Sequence, residues 1–586
     1  MALPESGQPA DATTASEARQ PARQLRSNFE PGTSRWAMRR AQWAALGLSD
    51  EDMARPKIAI VNSSSDLASC FSHLDGIVLP LKEAIREAGG IGFEIRTAAP
   101  SDAVTSAGAA GQYILPSRDL IASDIEVAAE GALLDGMICL SSCDKTTPGH
   151  LMAAGRLDIP TIVIACGYQP SGRYKGEPVD FEDIFTYAGH VAAGRMTVQE
   201  LAEMSSCAVA GPGVCAGMGT ANSMHIAAEA LGMALPGSTP TRAGSPRMWQ
   251  AVADAGHRIV ELIAADVTPR SILTAGAFRN AVTAVLAISG SVNCLKHLQA
   301  VAVEAGCDAD VYQLFEDLAP EVPLLAAVKP NGDRRIEEFE AAGGTRTLLR
   351  QLAPLLELDQ PTVAGLTVGE VIAAAPEHSG QDVIRPLDEP LARHPGIVFL
   401  RGTLAPDGAV AKRTVADDGM HRFTGPARVF HSREEGIAAV RAGQVEAGQV
   451  MVLTGLGLRG APGMGFTSAF VFALDGAGLS DKVAVVTDGQ LSGLVNKGIS
   501  VAEVSPEGAV GGPLGLVRNG DVISVDIDAR RVDLHVPDAV LAERRAALPA
   551  LPAPAGCSWL SVYARSVSPL GQGATLTGRS PTGQTS

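Results

Sequence analysis

Three cysteines of the sequence lie in loops where metal chemistry is plausible. Cys143 follows the apolar run LDGMICL and is followed directly by Asp144 and Lys145. Cys70 comes after the apolar run KIAIV, and Cys215 lies in the glycine-rich stretch GPGVCAGMGTANSM. A thiolate suits iron or zinc and a carboxylate suits magnesium, so one tripeptide could serve two neighbouring metal sites. The alternative is a buried cysteine beside a surface Asp-Lys pair, because there is no CxxC pair and spacing alone is weak evidence for a cluster.

Composition narrows the class of protein. Nine cysteines, odd in number and scattered, indicate thiols in a reducing cytoplasm rather than a disulfide framework. A net charge of −17 argues against a nucleic-acid partner, because an acidic surface repels phosphate backbones. We also expect no membrane partner, since no apolar run reaches the roughly 18 residues of a spanning helix. The N-terminus lacks the basic start and apolar core of a secretory signal.

The first two-thirds of the chain alternate strand-like and helix-like patterns. β-branched runs at 57–65, 136–143 and 160–167 end in small or polar residues, and long amphipathic stretches such as RMWQAVADAGHRIVELIAADV follow. This alternation predicts an α/β/α domain with a mainly parallel sheet. Ligands of such sheets bind at the carboxyl ends of the strands, where Cys70 and Cys143 lie.

The pattern changes after about residue 390, where strand-like runs dominate. The runs DVISVDI and RVDLHV are separated by three residues and are expected to pair as a hairpin. We therefore predict a second, β-rich domain that resembles a barrel. The predicted division is a disordered tail at 1–24, the α/β domain at 25–390, the β-rich domain at 391–567 and a disordered tail at 568–586.

Several segments together resemble one enzyme family, the dihydroxy-acid, sugar-acid and phosphogluconate dehydratases. The matches lie between about 25 and 566 and include LRSNF, AIVNSSSDLASCFSHL, LPSRDLIASDIE, CDKTTPG, GVCAGMGTANSM, TDGQLSG and SPEGAVGGPLGLVRNGDVISVDI. The set is far more specific than any single motif. The resemblance implies a hydro-lyase that binds an iron–sulfur cluster, usually of the 2Fe–2S type with 4Fe–4S as the alternative. Cys70, Cys143 and Cys215 match the cluster ligands.

The resemblance also implies a magnesium ion beside the cluster. Asp102 and Asp144 match its carboxylate ligands, and Lys145 matches a lysine that binds the metal as a carbamate. The chain departs from the family at Phe466, which stands where a glutamate completes the magnesium site. Phenylalanine cannot ligate a metal, so either another acid or water replaces the glutamate, or the metal binds more weakly.

A reaction follows from these matches. Ser492, in TDGQLSG, matches the serine that acts as a base once ionised, and nearby cations would lower its pKa. Magnesium on the substrate carboxylate would stabilise the charge that develops as C2 loses its proton. The open iron would make the C3 hydroxyl a better leaving group, and the resulting enol would become a 2-oxo acid.

Other motifs give weaker evidence for function than these matches do. GLGLRG at 455–460 matches a dinucleotide-binding pattern, but no helix is expected after it. His73, His150 and His225 lie in the matched segments, and we expect structural hydrogen bonds for them rather than substrate contacts.

The leading hypothesis is a cytoplasmic homodimer or homotetramer that dehydrates a small-molecule polyhydroxy acid. The substrate is expected to be a 2,3-dihydroxy acid of branched-chain amino acid biosynthesis, with an aldonic acid of sugar-acid metabolism as the alternative. Phe466 motivates a further alternative, a relative that binds a metal or small acid without turnover.

Overall fold

The structure is a computed structural model that describes residues 24–105, 108–192, 194–376, 382–413, 420–493, 495, 498–548 and 557–577. Most of the predicted N-terminal tail, residues 1–23, and the end of the predicted C-terminal tail, residues 578–586, lie outside the described residues.

A four-stranded parallel sheet forms the centre of the first domain, in the order β2-β1-β3-β4. Its strands are β1 (Lys57–Asn62), β2 (Ile91–Arg96), β3 (Gly136–Ser141) and β4 (Thr161–Ala165). Every residue of β1, β3 and β4 is buried, which is why these runs read as continuously apolar rather than alternating. The predicted α/β class with a parallel sheet is confirmed.

Seventeen described α-helices surround this sheet and make up most of the first domain. They are α1 (Ser34–Ala45), α2 (Asp50–Ala54), α3 (Asp75–Glu87), α4 (Asp102–Thr105), α5 (Ile114–Gly131), α6 (Thr146–Leu157), α7 (Phe181–Ala192), α8 (Val198–Ala208), α9 (Thr220–Ala230), α10 (Pro246–Ala265), α11 (Pro269–Ile272), α12 (Ala275–Ala287), α13 (Asn293–Ala305), α14 (Val311–Leu318), α15 (Ile336–Ala341), α16 (Gly344–Leu352) and α17 (Val368–Ala373). A short hairpin of β5 (Gly172–Tyr174) and β6 (Glu177–Val179) precedes α7. The long helix expected near 247–267 is α10, and Ser245 caps it by accepting a hydrogen bond from Met248 N at 3.2 Å.

The second domain is a nearly closed eight-stranded barrel. Its strands are β7 (Ile397–Leu400), β8 (Gly408–Lys412), β9 (Arg422–Phe430), β10 (Val450–Leu453), β11 (Ala484–Thr487), β12 (Ile499–Ser505), β13 (Val522–Asp526) and β14 (Arg531–Leu534). They follow the order β14-β13-β9-β10-β11-β12-β8-β7. A bridge between Arg401 and Arg531 joins the two outer edges, so the sheet hides the strand edges that would otherwise be exposed. The expected hairpin is the antiparallel pair β13 and β14, and the prediction of a barrel-like domain is confirmed.

The described part of the second domain also contains four α-helices. The interior of the barrel is an apolar core separate from that of the first domain. The helices are α18 (Arg433–Arg441), α19 (Ser468–Gly476), α20 (Asp538–Ala546) and α21 (Trp559–Ser566). Short 3₁₀ segments lie at Gly108–Tyr113, Ala353–Leu355, Gly508–Val510, Pro513–Leu516 and Leu570–Gln572. The two domains meet where α7 packs on α19, and the ring of Phe185 stacks on that of Phe472 with centroids 6.0 Å apart.

The prediction of a disordered tail from residue 568 is wrong for residues 568–577. Leu570 and Ala574 are buried in an apolar cluster. Arg118 on α5 donates hydrogen bonds to the carbonyl oxygens of Gly573, at 2.9 Å, and Ala574, at 2.8 Å. The composition of this segment is that of a loop, but a buried arginine on a distant helix needs its carbonyl groups as acceptors.

Among the described residues, none of the helices combines the length and apolar character required to cross a membrane.

Candidate active site

A cavity of about 200 Å³ lies where loops of the first domain meet loops of the barrel. Six of the seven predicted site residues line it, namely Cys70, Asp102, Cys143, Asp144, Cys215 and Ser492. The seventh, Lys145, is fully buried and contacts Asp102. The fold therefore gathers in one place residues that are hundreds of positions apart in the chain.

Two of the cysteines meet because their strands are neighbours. Cys70 follows β1 and Cys143 follows β3, and these strands pair in parallel, so their carboxyl ends reach the same edge of the sheet. The two thiols are in hydrogen-bonding contact, which lowers the pKa of Cys70 and, together with burial, raises the pKa of Cys143. Ser101 Oγ lies 3.6 Å from Cys70 Sγ. This pair of thiols is thus ready to share a soft metal centre.

The third cysteine is held by the loop before α9. Asn222 Nδ2 donates to the carbonyl oxygens of Cys215, at 2.9 Å, and Gly217, at 2.8 Å, so the first turn of α9 fixes the loop. Burial and the nearby Asp144 carboxylate raise the pKa of Cys215. The dipole of α9 would favour a thiolate near its N-terminus, but these two effects act in the opposite direction and are larger. A bound cation is the group that would reverse this shift.

The start of α9 also fixes the carboxylate of Asp144. Its Oδ1 accepts a hydrogen bond from Ala221 N at 3.1 Å, the kind of contact that stabilises a helix by about 1 kcal/mol. The N-cap of α9 is Gly219, which has no side chain to act as a cap, so the Asp144 carboxylate takes that part from another loop. The Thr220 hydroxyl lies 2.8 Å from Ser291 Oγ on a neighbouring loop.

Lys145 is surrounded by the two candidate metal-binding carboxylates. Its Nζ lies 3.1 Å from Asp102 Oδ2 and 3.9 Å from Asp144 Oδ2. Burial by itself would lower the pKa of Lys145, but the two carboxylates raise it above the usual value. Burial raises the pKa of Asp102 to about 7 despite Lys145, and Asp102 Oδ1 is buried without a hydrogen-bond partner among the described residues. This free oxygen is aimed at a ligand that the protein itself does not supply.

Ser492 enters the cavity from the barrel, on the loop between β11 and β12. Its backbone N donates to Ser468 Oγ at 2.7 Å, which ties the loop to the start of α19. The next residue, Gly493, lies so close to α9 that a Cβ there would be 2.6 Å from Ser291 Oγ and 3.2 Å from Thr220 N. The glycine thus allows the serine loop to reach into the first domain.

Phe466 lines the cavity, so the departure from the family pattern falls within the site itself. Its backbone pairs with that of Gln490, on the strand-end loop that also carries Ser492. Other apolar side chains share this wall, namely Val104, Phe181, Phe185 and Val209. The site therefore combines a polar, metal-binding side with an apolar side.

Two buried titratable residues near the cavity were missed by the sequence analysis. Glu182, at the start of α7, fills the space beside Gly217, where a Cβ would lie 1.5 Å from Glu182 Oε1. Both carboxylate oxygens of Glu182 are buried, and neither has a hydrogen-bond partner in the described part of the chain. Lys412, at the end of β8, donates to the Gly493 carbonyl at 3.0 Å. No local sequence signal marks either residue, because both approach the site only through the packing of the two domains.

The histidines of the matched segments and the GLGLRG motif at 455–460 make hydrogen bonds within the protein. His73 Nε2 lies 2.8 Å from the Cys166 carbonyl, and His150 Nδ1 lies 2.7 Å from Ser141 Oγ. Neither these two nor His225 is among the residues that line the cavity. In GLGLRG, the backbone N–H groups of Gly455 and Leu456 donate to the Asp488 carboxylate. The next described α-helix after the motif begins only at Ser468, so the motif lacks the strand–loop–helix context of a dinucleotide site.

The chemistry of the donor atoms fits the groups that the resemblance implies. Three thiols suit an iron–sulfur cluster, and the adjoining carboxylates suit magnesium. Within the described ranges, no three His, Cys, Asp or Glu side chains are placed to hold one single metal ion.

Comparison with known proteins shows the family of this chain. The description "Dihydroxy-acid/6-phosphogluconate dehydratase" covers two family models, of which the N-terminal one matches residues 55–371 and the C-terminal one matches residues 382–574. The dihydroxy-acid dehydratase of Methanococcoides burtonii is 37% identical over 93% of this chain and 99% of that relative. Those of Moorella thermoacetica and Ignicoccus hospitalis are 39% and 40% identical, over 92% and 87% of this chain and 98% and 92% of the relatives. The chain therefore belongs to the dihydroxy-acid and 6-phosphogluconate dehydratase family and is a hydro-lyase.

Proposed function

We propose that this enzyme converts a 2,3-dihydroxy carboxylic acid into a 2-oxo acid and water, with an iron–sulfur cluster and a magnesium ion as cofactors. The observation that carries the proposal is the single cavity shared by three cysteines, two aspartates and Ser492, with Lys145 directly behind it. The names of the relatives support the same reaction class.

The protein groups divide into two sets of ligands. The three cavity cysteines would hold the cluster, of the 2Fe–2S type with 4Fe–4S as the alternative. Asp102, Asp144 and Lys145, the last as a carbamate, would hold magnesium. When bound, the two groups would supply Lewis acidity at the C3 hydroxyl and neutralise the substrate carboxylate.

The remaining chemistry belongs to Ser492. As an alkoxide, its Oγ would take the C2 proton of the substrate. The electrons of that C–H bond would form the C2=C3 double bond while the C3–O bond breaks, and the departing hydroxide would take up a proton to become water. The enol left behind would tautomerise to the 2-oxo acid. Ser492 comes from the barrel while the ligands come from the first domain, so catalysis would require both domains.

The apolar wall of the cavity favours one substrate class within this proposal. Phe466 removes a carboxylate and adds an aromatic surface beside Phe181 and Phe185. A substrate whose C3 substituents are alkyl groups would bury them against this wall, at roughly 25 cal/mol for each Å² removed from water. An aldonic acid would have to leave hydroxyl groups there without partners. We therefore favour a dihydroxy acid of the branched-chain type, as in branched-chain amino acid biosynthesis, over an aldonic acid.

A substrate panel tests this proposal. The protein would be purified and its cluster reconstituted without oxygen, and iron, sulfide and magnesium would be quantified. It would then be given 2,3-dihydroxyisovalerate, gluconate, arabinonate and 6-phosphogluconate, with 2-oxo acid formation as the measurement. We expect turnover of 2,3-dihydroxyisovalerate. Faster turnover of an aldonate would reverse the substrate assignment, and a fully loaded protein that produces no 2-oxo acid would be the non-catalytic relative that Phe466 suggests.

The setting of the enzyme is part of the proposal as well. We propose a homodimer or homotetramer that acts in the cytoplasm. All nine cysteines are free thiols, which supports a reducing compartment. Light scattering of the purified protein would give the oligomeric state.

A further inference from the structure

Lys412 is a buried cation beside the loop that carries Ser492. It is the last residue of β8, its exposed fraction is 8%, and its Nζ donates to the carbonyl oxygen of Gly493 at 3.0 Å. No carboxylate lies within 4 Å of this ammonium group among the residues that the structure describes. Its one described acceptor is the carbonyl group of Gly493, the residue that directly follows Ser492.

Two of the other buried lysines are paired with acids, whereas the described acceptors of Lys57 are Asn28 Oδ1 and the Met53 carbonyl, and burial lowers its pKa to about 8 as well. Lys145 lies 3.1 Å from Asp102, and Lys296 forms an ion pair with Glu503. Burying an ammonium group that has only a carbonyl acceptor costs more free energy than burying one in an ion pair, because no opposite charge compensates the lost hydration at short range. Burial accordingly lowers the pKa of Lys412 to about 8, with Glu182 and Cys294 acting in the opposite direction. Lys57 binds the N-terminal part of the first domain, whereas the acceptor of Lys412 is the residue next to the proposed base, so its position distinguishes Lys412 as a candidate functional group.

Glu182 is the carboxylate that faces Lys412 from the first domain. It is 6% exposed, and its oxygens make no hydrogen bond within the described residues. Burial, together with the charge of Asp180, raises the pKa of Glu182 to about 8, although Lys329 and Lys412 act in the opposite direction. Lys329 is already paired with Asp183 at 2.7 Å. A buried acid and a buried base thus lie on either side of the domain boundary, near the loops of Cys215 and Ser492.

We propose that Lys412 is a positioning residue for Ser492, which holds the serine loop through the Gly493 carbonyl and favours negative charge on Ser492 Oγ. This inference rests on the proposed function, in which Ser492 is the base. The physical reason is that a fixed cation in a site without bulk water stabilises a developing anion far more than the same cation would in water. It also gives a reason for the protein to retain an unpaired buried charge.

The variant Lys412→Met tests this inference, because methionine keeps most of the side-chain volume and removes the charge. We expect kcat to fall by about 100-fold, as for the loss of one preorganised electrostatic group, with KM changed by less than about 3-fold. The melting temperature should stay the same or rise, because the desolvation cost disappears. Lys412→Arg should recover part of the lost kcat. A lower melting temperature with an unchanged kcat in Lys412→Met would show a purely structural lysine and overturn the inference.

Two further variants separate this inference from its alternatives. Lys296→Met is the matched control: it leaves Glu503 buried without its cation, so we expect a lower melting temperature and a near-normal kcat for the folded enzyme. In a Ser492→Ala background, Lys412→Met should have no further effect on residual turnover, because the two residues would act as one unit. Full additivity would overturn the inference while leaving the proposed function intact. Turnover in Ser492→Ala alone equal to that of the unaltered enzyme would instead refute the role of Ser492, and with it this inference.

Discussion

Two clusters of buried titratable groups lie at the boundary between the domains, and they differ in how fully their acids are paired. In the first, Arg118 pairs with Asp119 and with two carbonyl groups of the C-terminal segment, and Lys296 pairs with Glu503 across the boundary. In the second, around the cavity, Asp102 pairs with Lys145, but both oxygens of Glu182 are buried without hydrogen-bond partners in the described part of the chain. One oxygen each of Asp102 and Glu503 also has no described hydrogen-bond partner. We call the first the junction cluster and the second the cavity cluster.

The difference shows what each cluster is for. A buried charge with a matching partner holds two segments in register, whereas one without a partner costs free energy that the fold must recover elsewhere. The junction cluster accordingly joins α5, α13, β12 and the last described residues into one unit. The cavity cluster keeps its polar atoms available, as expected of a site that binds a metal ion and an acidic substrate.

The largest effects should follow from changing the cavity cluster. Cys143→Ser removes one proposed cluster ligand, and Ser492→Ala removes the proposed base, so each should lower turnover by about 1,000-fold or more. The measurements are 2-oxo acid formation and, for Cys143→Ser, iron content and visible absorbance. Cys139→Ser is the control for loss of a buried thiol outside the cavity. Full activity in either variant would remove that residue from the mechanism.

The next largest effect should come from the junction cluster, and on stability rather than on chemistry. Arg118→Met leaves Asp119 buried without its cation and the carbonyl groups of Gly573 and Ala574 without a donor. We expect the free energy of unfolding to fall by about 3–5 kcal/mol. Urea unfolding measures this change, with Arg96→Met, an exposed ion pair, as the control expected to lose at most about 1 kcal/mol. Equal losses in the two variants would contradict the contrast between the clusters.

A smaller effect should follow from filling the space beside Glu182. In Gly217→Ala the new Cβ would lie 1.5 Å from Glu182 Oε1, so the carboxylate must move. We expect a loss of about 1–3 kcal/mol in stability, as for other overpacked sites, and a lower kcat. Gly76→Ala, where a Cβ meets nothing within 4 Å, is the matched control and should be neutral or slightly stabilising. The double variant Gly217→Ala/Glu182→Ala should regain part of the stability if steric conflict is the cause.

The smallest effect should be a dependence on pH that originates at Lys412. Its pKa is about 8 in the folded protein and 10.5 when unperturbed, so between these values the unfolded chain binds more protons. Stability contributed by this group should therefore rise with pH from 8 to 10.5, while activity falls as the ammonium charge is lost. Melting temperature and kcat measured across this range, in the unaltered enzyme and in Lys412→Met, check both trends. If the two proteins give the same profiles, Lys412 does not titrate in this range.

Some of the site could be predicted from the sequence, because its signals are local. The apolar runs before Cys70 and Cys143 placed both thiols at strand ends, and parallel pairing of β1 and β3 brings such ends together. Phe466 could likewise be identified as a departure before its surroundings were known. The glycine-rich stretch around Cys215 indicated a close approach of the backbone, but not the partner that it approaches.

What the sequence alone determined is the set of residues able to do this chemistry and the two kinds of domain that hold them, since apolar periodicity and residue type are properties of short segments. Only the tertiary structure decided which charges would remain unpaired. Glu182, Lys412 and the segment 568–577 have ordinary local sequences, and their roles arise from partners on other elements. Burial and the distance to an opposite charge depend on how the two domains pack, which no single segment encodes.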